Sequence, residues 1–377
     1  MLKIGIAGYG KRMQSLIKLL TEMEDCRVVA VADPQQPEET ALQKIQNPQV
    51  RWYGELEEML KKEPLDGLFI GTRCSLHTPM ALTAARYNLP LFLEKPVCIN
   101  QEQLNLLQGI LPQMESKTVV SFPLRSCALV KTVKEIVENG TLGTLSQVQA
   151  FNNVPYGRGY YHKWYRDERE TGGLFLQKAT HDLDYIRSLL PRERPLRLTA
   201  VSSKQIFKGD HPAGLKCRDC SERRSCTESD WNVKQSDPHY QPGEYCCFAK
   251  DTGNHDSGSI LLEYQSGLHT VYTQNFVARK GAGNRGARLI GYKATLEFSF
   301  SSGTITVYHH LENRVDRITF PVEHGHSGGD LQLIQNFIRV IKGEASPCAT
   351  LHDGMISAAL CLAANKAAAE HCWVELV

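Results

Sequence analysis

Leu2-Lys3-Ile4-Gly5-Ile6-Ala7-Gly8-Tyr9-Gly10 opens the chain. A short apolar run enters Gly-x-Gly directly, and helical spacing follows through Met13, Leu16, Ile17, Leu19 and Leu20. Strand, glycine turn and helix in that order are the setting a dinucleotide-binding fingerprint requires. Gly8 makes the tight turn in this reading. Gly10 lets the backbone approach a pyrophosphate on the helix N-terminus, with Tyr9, Lys11, Arg12 and Met13 completing the loop. Met13 occupies the place of the fingerprint's third glycine, a position that serves helix–strand packing.

A second strand, Arg27–Ala32, ends at Asp33, 25 residues after Gly8. A carboxylate there accepts hydrogen bonds from ribose hydroxyls and repels a 2′-phosphate, so NAD is expected, with NADP the alternative. The alternation continues through a helix near Glu55–Lys62, a strand Gly67–Ile70, a helix His77–Tyr87, a strand Leu89–Glu94, a helix Gln101–Met114 and a strand Thr118–Phe122. It predicts an α/β fold whose N-terminal part is a doubly wound parallel sheet. The fourth of these strands ends in Leu91-Phe92-Leu93-Glu94-Lys95-Pro96. It delivers Lys95 to the carboxyl edge of the sheet, where ligands of such sheets bind, and the proline fixes the backbone there.

At 377 residues the chain is long enough for two domains. A formal charge of +2 gives no electrostatic case for nucleic acid or an anionic membrane. The first residues lack the architecture of a signal peptide, and no apolar run reaches the ~20 residues that span a bilayer. A cytoplasmic protein with a small-molecule partner is expected.

Further motifs stand at matching spacing. They are Gly71-Thr72-Arg73-Cys74-Ser75-Leu76-His77, Glu94-Lys95-Pro96, Arg125, Trp164-Tyr165-Arg166-Asp167, and Gly172-Gly173 leading to His181 and Asp184. With Gly8-Tyr9-Gly10 they resemble the glucose–fructose oxidoreductase / inositol dehydrogenase / rhizopine-catabolism (Gfo/Idh/MocA) family over nearly the whole chain. The resemblance implies a Rossmann domain at 1–123 and an α+β domain at 124–377, with a large, mostly antiparallel open sheet through which homodimers or homotetramers form. It implies cofactor contacts from Gly71, Thr72, His77, Glu94, Lys95 and Arg125, a catalytic Lys95 and its partner His181. The activity implied is hydride transfer between NAD(P) and a hydroxyl-bearing carbon of a sugar, cyclitol or related molecule. Gln177 stands where many members carry Asp, and Gln177-Lys178 is closest to a subset that reads Glu-Lys.

In the second half, Tyr156, Tyr160, Tyr161, Trp164 and Tyr165 alternate with Arg158, Lys163 and Arg166. Rings stack on sugar faces and cations bind hydroxyls or carboxylates, so Tyr156, Trp164 and Arg166 are expected to wall a substrate site. A helix from Gly172-Gly173 to about Leu190 puts Gln177, His181 and Asp184 on one face, with Lys178 at its edge. His181 can act as the base, Lys95 can orient or relay the proton, and Gln177 can orient without titrating. His326-Ser327-Gly328-Gly329-Asp330 resembles a His-x-Gly-Gly-Asp segment that lies near the substrate in relatives, so His326 joins the substrate residues.

Five of the twelve cysteines crowd into an insertion at about 208–256. Cys217-x2-Cys220, Cys226 and Cys246 have the spacing of a structural zinc site that would staple a segment without its own core. An iron–sulfur cluster and disulfides are the alternatives. The leading function is an NAD-dependent sugar or cyclitol dehydrogenase. The alternatives are a glycosidase or lyase that uses NAD transiently, and a non-enzymatic sugar sensor on the same fold.

Overall fold

A computed structural model of the chain describes residues 1–35, 45–236, 241, 243–322 and 324–376. β1 (Leu2–Ala7) pairs in parallel with β2 (Cys26–Ala32) on one side and β4 (Gly67–Ile70) on the other. With β3 (Arg51–Tyr53), β5 (Leu91–Leu93) and β6 (Thr118–Val120) they form a parallel sheet in the order β3-β2-β1-β4-β5-β6. This is the Rossmann strand order, with β1 and β4 meeting at the switch point. Every residue of β4 and β5 is buried, as strands covered on both faces must be. The helices Lys11–Thr21, Leu56–Lys62, His77–Ala85 and Gln101–Met114 run between the strands where the sequence placed them. The fifth and sixth strands are shorter than expected. After Glu94, whose amide still donates to the Ile70 carbonyl at 2.9 Å, the chain turns at Pro96 and leaves the ladder.

The chain packs as two compact units, one of Met1–Lys131, Leu183–Tyr185 and Glu323–Ala359, the other of Thr132–Asp182, Ile186–Val322 and Leu360–Val377. By contacts, the segment 323–359 groups with the first unit. Its helix Gly329–Ile341 carries an apolar stripe of Leu333, Ile334, Phe337 and Ile338, all buried in the first unit's core. Phe337 meets Phe69 edge-on at 5.1 Å and Phe92 at 5.9 Å, and those two rings stack at 4.5 Å. A stripe of this kind must be covered, and the sheet supplies the apolar face.

The second unit is built on a nine-stranded sheet. Its strands are β7 (Leu145–Asn153), β8 (Pro195–Ser203), β9 (Ser257–Tyr264), β10 (His269–Asn275), β11 (Asn284–Gly291), β12 (Ala294–Ser299), β13 (Thr304–His309), β14 (Val315–Thr319) and β15 (Val374–Glu375). They lie in the order β14-β13-β12-β11-β7-β10-β9-β8-β15. Only β7 and β10 pair in parallel, so the sheet is mixed and mostly antiparallel. β8 and β14 were not anticipated. β14 is exposed along its length, and without a buried face it has no period-two signal to read. The expected final strand reached Val377, which lies outside the described residues.

The cysteine-bearing insertion does have a core. Phe207 and Cys247 pack with Val154, Tyr161, Leu174 and Phe276 in one apolar cluster. The Asp256 carboxylate accepts from the amides of Ile206 at 2.5 Å and Phe207 at 3.1 Å, pinning the entry of the segment to its exit. Among the described residues no helix is long and apolar enough to cross a membrane.

Phe337→Ala is expected to cost about 3–5 kcal/mol, the usual range for emptying a buried aromatic site. Urea unfolding would show it. A loss below about 1 kcal/mol would mean that the helix Gly329–Ile341 is not part of this core.

Candidate functional site

In the first unit Gly8 has φ +88°, and a Cβ there would stand 2.9 Å from the Gly71 carbonyl oxygen and the Thr72 Cα. Only glycine fits this turn. Gly10 differs. Its φ is −69°, and a Cβ would meet nothing within 4 Å, so open space faces the first turn of the helix Lys11–Thr21. No side chain caps that helix N-terminus. Unengaged amides and the positive end of the helix dipole facing open space are what a pyrophosphate needs, so the residues fit a dinucleotide. Lys11 is exposed at the rim. Met13 is fully buried and its methyl fills the room left by the absent side chain of Gly71. The helix–strand contact that a third glycine would provide is thus made by a glycine on the opposite element. Asp33, at the end of β2, accepts from the Tyr9 amide at 2.8 Å and the Gln35 amide at 2.9 Å. Its carboxylate is half-buried. The Tyr9 ring is buried edge-on to Trp52 at 5.6 Å, so this residue meets the loop through its backbone.

Four residues expected to touch the cofactor make hydrogen bonds within the first unit. Arg12 donates through Nε to Glu94 at 2.7 Å, through both terminal nitrogens to Asp330 at 2.8 and 2.6 Å, and to Ser121 at 3.1 Å. Glu94, 5% exposed, also accepts from the Ser121 hydroxyl at 2.9 Å. Arg125 holds Asp184 with two hydrogen bonds at 2.8 and 2.5 Å and Asp353 with one at 2.7 Å. His77 is buried. Its Nδ1 lies 2.8 Å from the Pro96 carbonyl, steadying the turn after half-buried Lys95, and its Nε2 lies 3.3 Å from the Thr72 carbonyl. Burial pushes the His77 imidazole below its ordinary pKa, so it serves as a neutral strut. His326, expected beside the substrate, places Nδ1 3.0 Å from Asp330 in the first unit.

In the second unit Gly172 and Gly173 both take positive φ, +73° and +87°, and the Gly172 carbonyl accepts from Asn365 at 2.9 Å. The expected continuous helix does not follow. Phe175–Ala179 forms a wide π turn and the α-helix proper spans Thr180–Leu189. The wider turn changes the phase of Gln177 and Lys178 relative to His181, which a uniform 100° period could not show. Gln177, Lys178 and His181 are all buried, at 3%, 7% and 6% exposure. Lys178 donates to the Tyr156 hydroxyl at 2.6 Å, bringing two of the expected substrate residues together. Trp164 stacks on Tyr165 at 4.0 Å. Arg166 is drawn away from the expected wall. It is 3% exposed, ion-paired to Asp251 at 2.5 Å, and lies 5.0 Å from the Tyr245 ring, all inside the insertion. Asp182, fully buried, was not singled out from sequence. It accepts from Arg285 at 2.7 Å, Tyr272 at 2.9 Å and Asn152 at 3.0 Å, joining the helix to three strands.

The structure lends the zinc expectation no support. Cys217, Cys220, Cys226 and Cys246 line one small cavity with Cys247, His162 and His211. Yet among the described residues no group of three or more His, Cys, Asp or Glu is arranged to hold a metal ion. All twelve cysteines are free thiols, and burial pushes Cys246 up to about 11. The segment is closed by its apolar cluster and by ion pairs such as Arg223–Asp230 at 2.6 Å and Lys216–Glu244 at 2.9 Å.

Two tests follow from the first unit. Gly10→Ala should leave stability within about 0.5 kcal/mol, because nothing crowds the added methyl. It should weaken NAD binding at least tenfold, about 1.4 kcal/mol by calorimetry, because the methyl occupies the cofactor's space. Unchanged affinity would remove the pyrophosphate from this turn. For Arg12→Met, the Asp330 carboxylate decides the sign. Burial works against its charge, but hydrogen bonds from Arg12 and His326 hold its pKa well below the usual range. That contribution is present above the unfolded value near 3.9 and is lost as pH falls below it. Removing a partner of a buried pair costs about 3–5 kcal/mol, and Arg12 is 30% exposed, which places the loss at the lower end. The deficit at pH 7 should shrink by pH 3.5; a deficit independent of pH would count against the pairing.

Residues 2–122 match the NAD-binding Rossmann-fold domain of the Gfo/Idh/MocA oxidoreductase family, and residues 134–376 match its C-terminal alpha/beta domain. Inositol 2-dehydrogenase of Rhizobium meliloti (strain 1021) is 21% identical over 378 residues, covering 98% of this chain and 97% of its own. Among solved structures, myo-inositol 2-dehydrogenase from Lactobacillus plantarum aligns with TM-score 0.73 at 17% identity, over 100% of this chain and 99% of its own. Levoglucosan dehydrogenase in complex with NADH and levoglucosan aligns with TM-score 0.77 at 16% identity, over 99% of each chain. Those two likenesses speak for the fold. The two domain matches run in order over nearly the whole chain, the first on the glycine turn and its parallel sheet, the second on the nine-stranded sheet, and the chain belongs to the Gfo/Idh/MocA family of NAD(P)-dependent oxidoreductases.

Proposed function

We propose that the protein is a dehydrogenase that uses NAD to oxidise a secondary alcohol of a sugar, cyclitol or sugar derivative, or reduces the matching carbonyl. The observation that carries the cofactor half is the uncapped helix N-terminus behind Gly10, with the Asp33 carboxylate fixed by two backbone amides. Bound NAD supplies the hydride acceptor. Asp33 holds the ribose hydroxyls and disfavours a 2′-phosphate, which selects NAD over NADP. Lys95 and His181 carry the proton. His181 takes it from the hydroxyl as a neutral imidazole, and Lys95 orients the oxygen or relays the proton. Gln177 holds a polar group by hydrogen bonding and keeps its charge state at every pH. The aromatic group of Tyr156, Tyr160, Trp164 and Tyr165 supports a sugar-type substrate, since ring faces pack on the C–H faces of pyranoses and cyclitols. The named relatives that act on inositol and levoglucosan point the same way.

A second reading rests on Gln177. A buried amide where relatives carry a titrating acid suits a changed reaction, in which NAD is reduced and reoxidised within one cycle while a glycosidic substituent is eliminated. Incubation with glycosides and substoichiometric NAD separates the two, because cleavage without net NADH belongs to the second.

Screening NADH formation over a panel of polyols, cyclitols and sugars tests the main reading, which fails if the NAD-saturated protein turns over none of them. In Asp33→Ala, loss of carboxylate hydrogen bonds worth about 1.5–3 kcal/mol predicts a fall of roughly 10–150-fold in kcat/KM for NAD. The variant should also discriminate less against NADP. An unchanged NAD/NADP ratio would remove Asp33 from the ribose.

A further inference from the structure

Lys178 is a buried ammonium held without a carboxylate. It is 7% exposed, and among the described residues no Asp or Glu stands within ion-pairing distance of it. Nζ donates to the Tyr156 hydroxyl at 2.6 Å, and it lies 4.5 Å from that ring centre and 5.1 Å from the Tyr160 ring centre. Asp182, four residues on, does not balance it. That carboxylate already accepts from Arg285 at 2.7 Å, Tyr272 at 2.9 Å and Asn152 at 3.0 Å. Asp182 and Arg285 cancel, and Lys178 is left as one net positive charge inside the second unit. Ring faces and a phenol oxygen offset part of its desolvation, but a buried charge is costly until a counter-charge meets it. The Tyr156 oxygen accepts from Lys178, so its own O–H is left to donate, and among the described residues nothing accepts from it. Tyr156 is 56% exposed, so that donor is open to an incoming molecule.

We propose that Tyr156 and Lys178 form a subsite for one carboxylate of the substrate, which is then a sugar acid, an aldonate or a uronate. This rests on the oxidoreductase reading above and leaves the proton transfer with His181. The Tyr156 hydroxyl donates to a carboxylate oxygen, and the Lys178 ammonium behind it supplies the counter-charge. No proton changes hands at this pair. His181 follows Lys178 by three residues, roughly 4–5 Å along the helical stretch. The pair therefore reads a substituent of the substrate and not its reacting carbon. One positive charge matches one carboxylate. A phosphate monoester carries about −1.5 to −2 near pH 7 and would bring excess negative charge into the same interior.

The electrostatics agree. The Lys178 ammonium, with Arg285 adding, holds the Tyr156 phenol below its ordinary pKa although burial and Asp182 oppose this. A phenol polarised in that way is a stronger donor to an anion. Burial works against the Lys178 ammonium, but the oxygens of Tyr156 and Tyr160 keep its pKa above the ordinary value, so it stays charged. Tyr160 is packed between Tyr165 at 5.4 Å and Phe276 at 5.6 Å, and burial raises its phenol. Of the two phenols, Tyr156 is the donor and Tyr160 the packing partner.

Calorimetry on the NAD-loaded protein tests the subsite independently of turnover. The probes are matched pairs: gluconate with glucitol, glucuronate with glucose, and galacturonate with galactose. At least one acid should bind about tenfold or more tighter than its neutral partner. That preference should fall by about tenfold in Lys178→Met and return in part in Lys178→Arg, which keeps the charge. It should also fall in Tyr156→Phe, whose exposed ring keeps the test open if Lys178→Met does not fold. A merely structural lysine would change both members of a pair alike. The proposal is overturned if no acid is preferred, if a hexose phosphate binds as tightly as the acids, or if the preference survives these substitutions. A preference that depends on Lys178, found without NADH formation from any acid, would sink the dehydrogenase reading and leave the subsite standing. Turnover of neutral sugars with no preference for acids would do the reverse.

Discussion

The Arg12 guanidinium is the tie on which the first unit depends. One planar cation at the start of the first helix binds Glu94 at the end of β5, Ser121 just beyond β6, and Asp330 at the start of a helix more than three hundred residues later. The geometry suits arginine alone. A fork of five donors can satisfy two carboxylates and a hydroxyl at once, and the desolvation cost of burying two acids is offset only by such a set. The same tie locks the glycine turn, because Arg12 sits two residues after Gly10, and it locks the residue that precedes Lys95. Cofactor cradle and lysine turn are therefore held by one buried charge cluster.

The second unit handles buried charge in two ways within one helical stretch. Asp182 is satisfied fully, by an arginine, a tyrosine and an asparagine from three strands, and this anchors the helix Thr180–Leu189 to the sheet. Lys178, one turn earlier, is satisfied by phenols alone. Lys178 lies in the wide turn Phe175–Ala179.

Much of the framework was legible in the chain. The strand Gly67–Ile70 and the helix Gln101–Met114 stand at the bounds read from pattern, since strongly patterned segments between clear breakers are the ones local rules decide. Gly8 was readable because a tight turn of positive φ against a neighbouring backbone demands glycine. Local rules failed where a residue's partner is far away in sequence. Arg12 and Arg125 flank the dinucleotide motifs, and only the fold shows that Asp330 reaches Arg12 and that Asp184 and Asp353 reach Arg125. The spacing Cys-x2-Cys was visible in the chain, whereas the apolar cluster of Phe207, Cys247, Tyr161 and Phe276 forms from residues remote in sequence.

The sequence by itself determined the parallel sheet, the glycine turn and the family, because patterned segments between clear breakers and residue types that tolerate no substitute are read from the chain alone. The tertiary structure alone decided three things: the segment 323–359 joins the first unit, the helix before His181 opens into a wide turn, and Lys178 meets Tyr156 rather than an acid. All three follow from packing of elements remote in sequence. The free energy of burying a stripe or pairing a charge depends on what lies opposite, and a linear pattern records only one side of that contact.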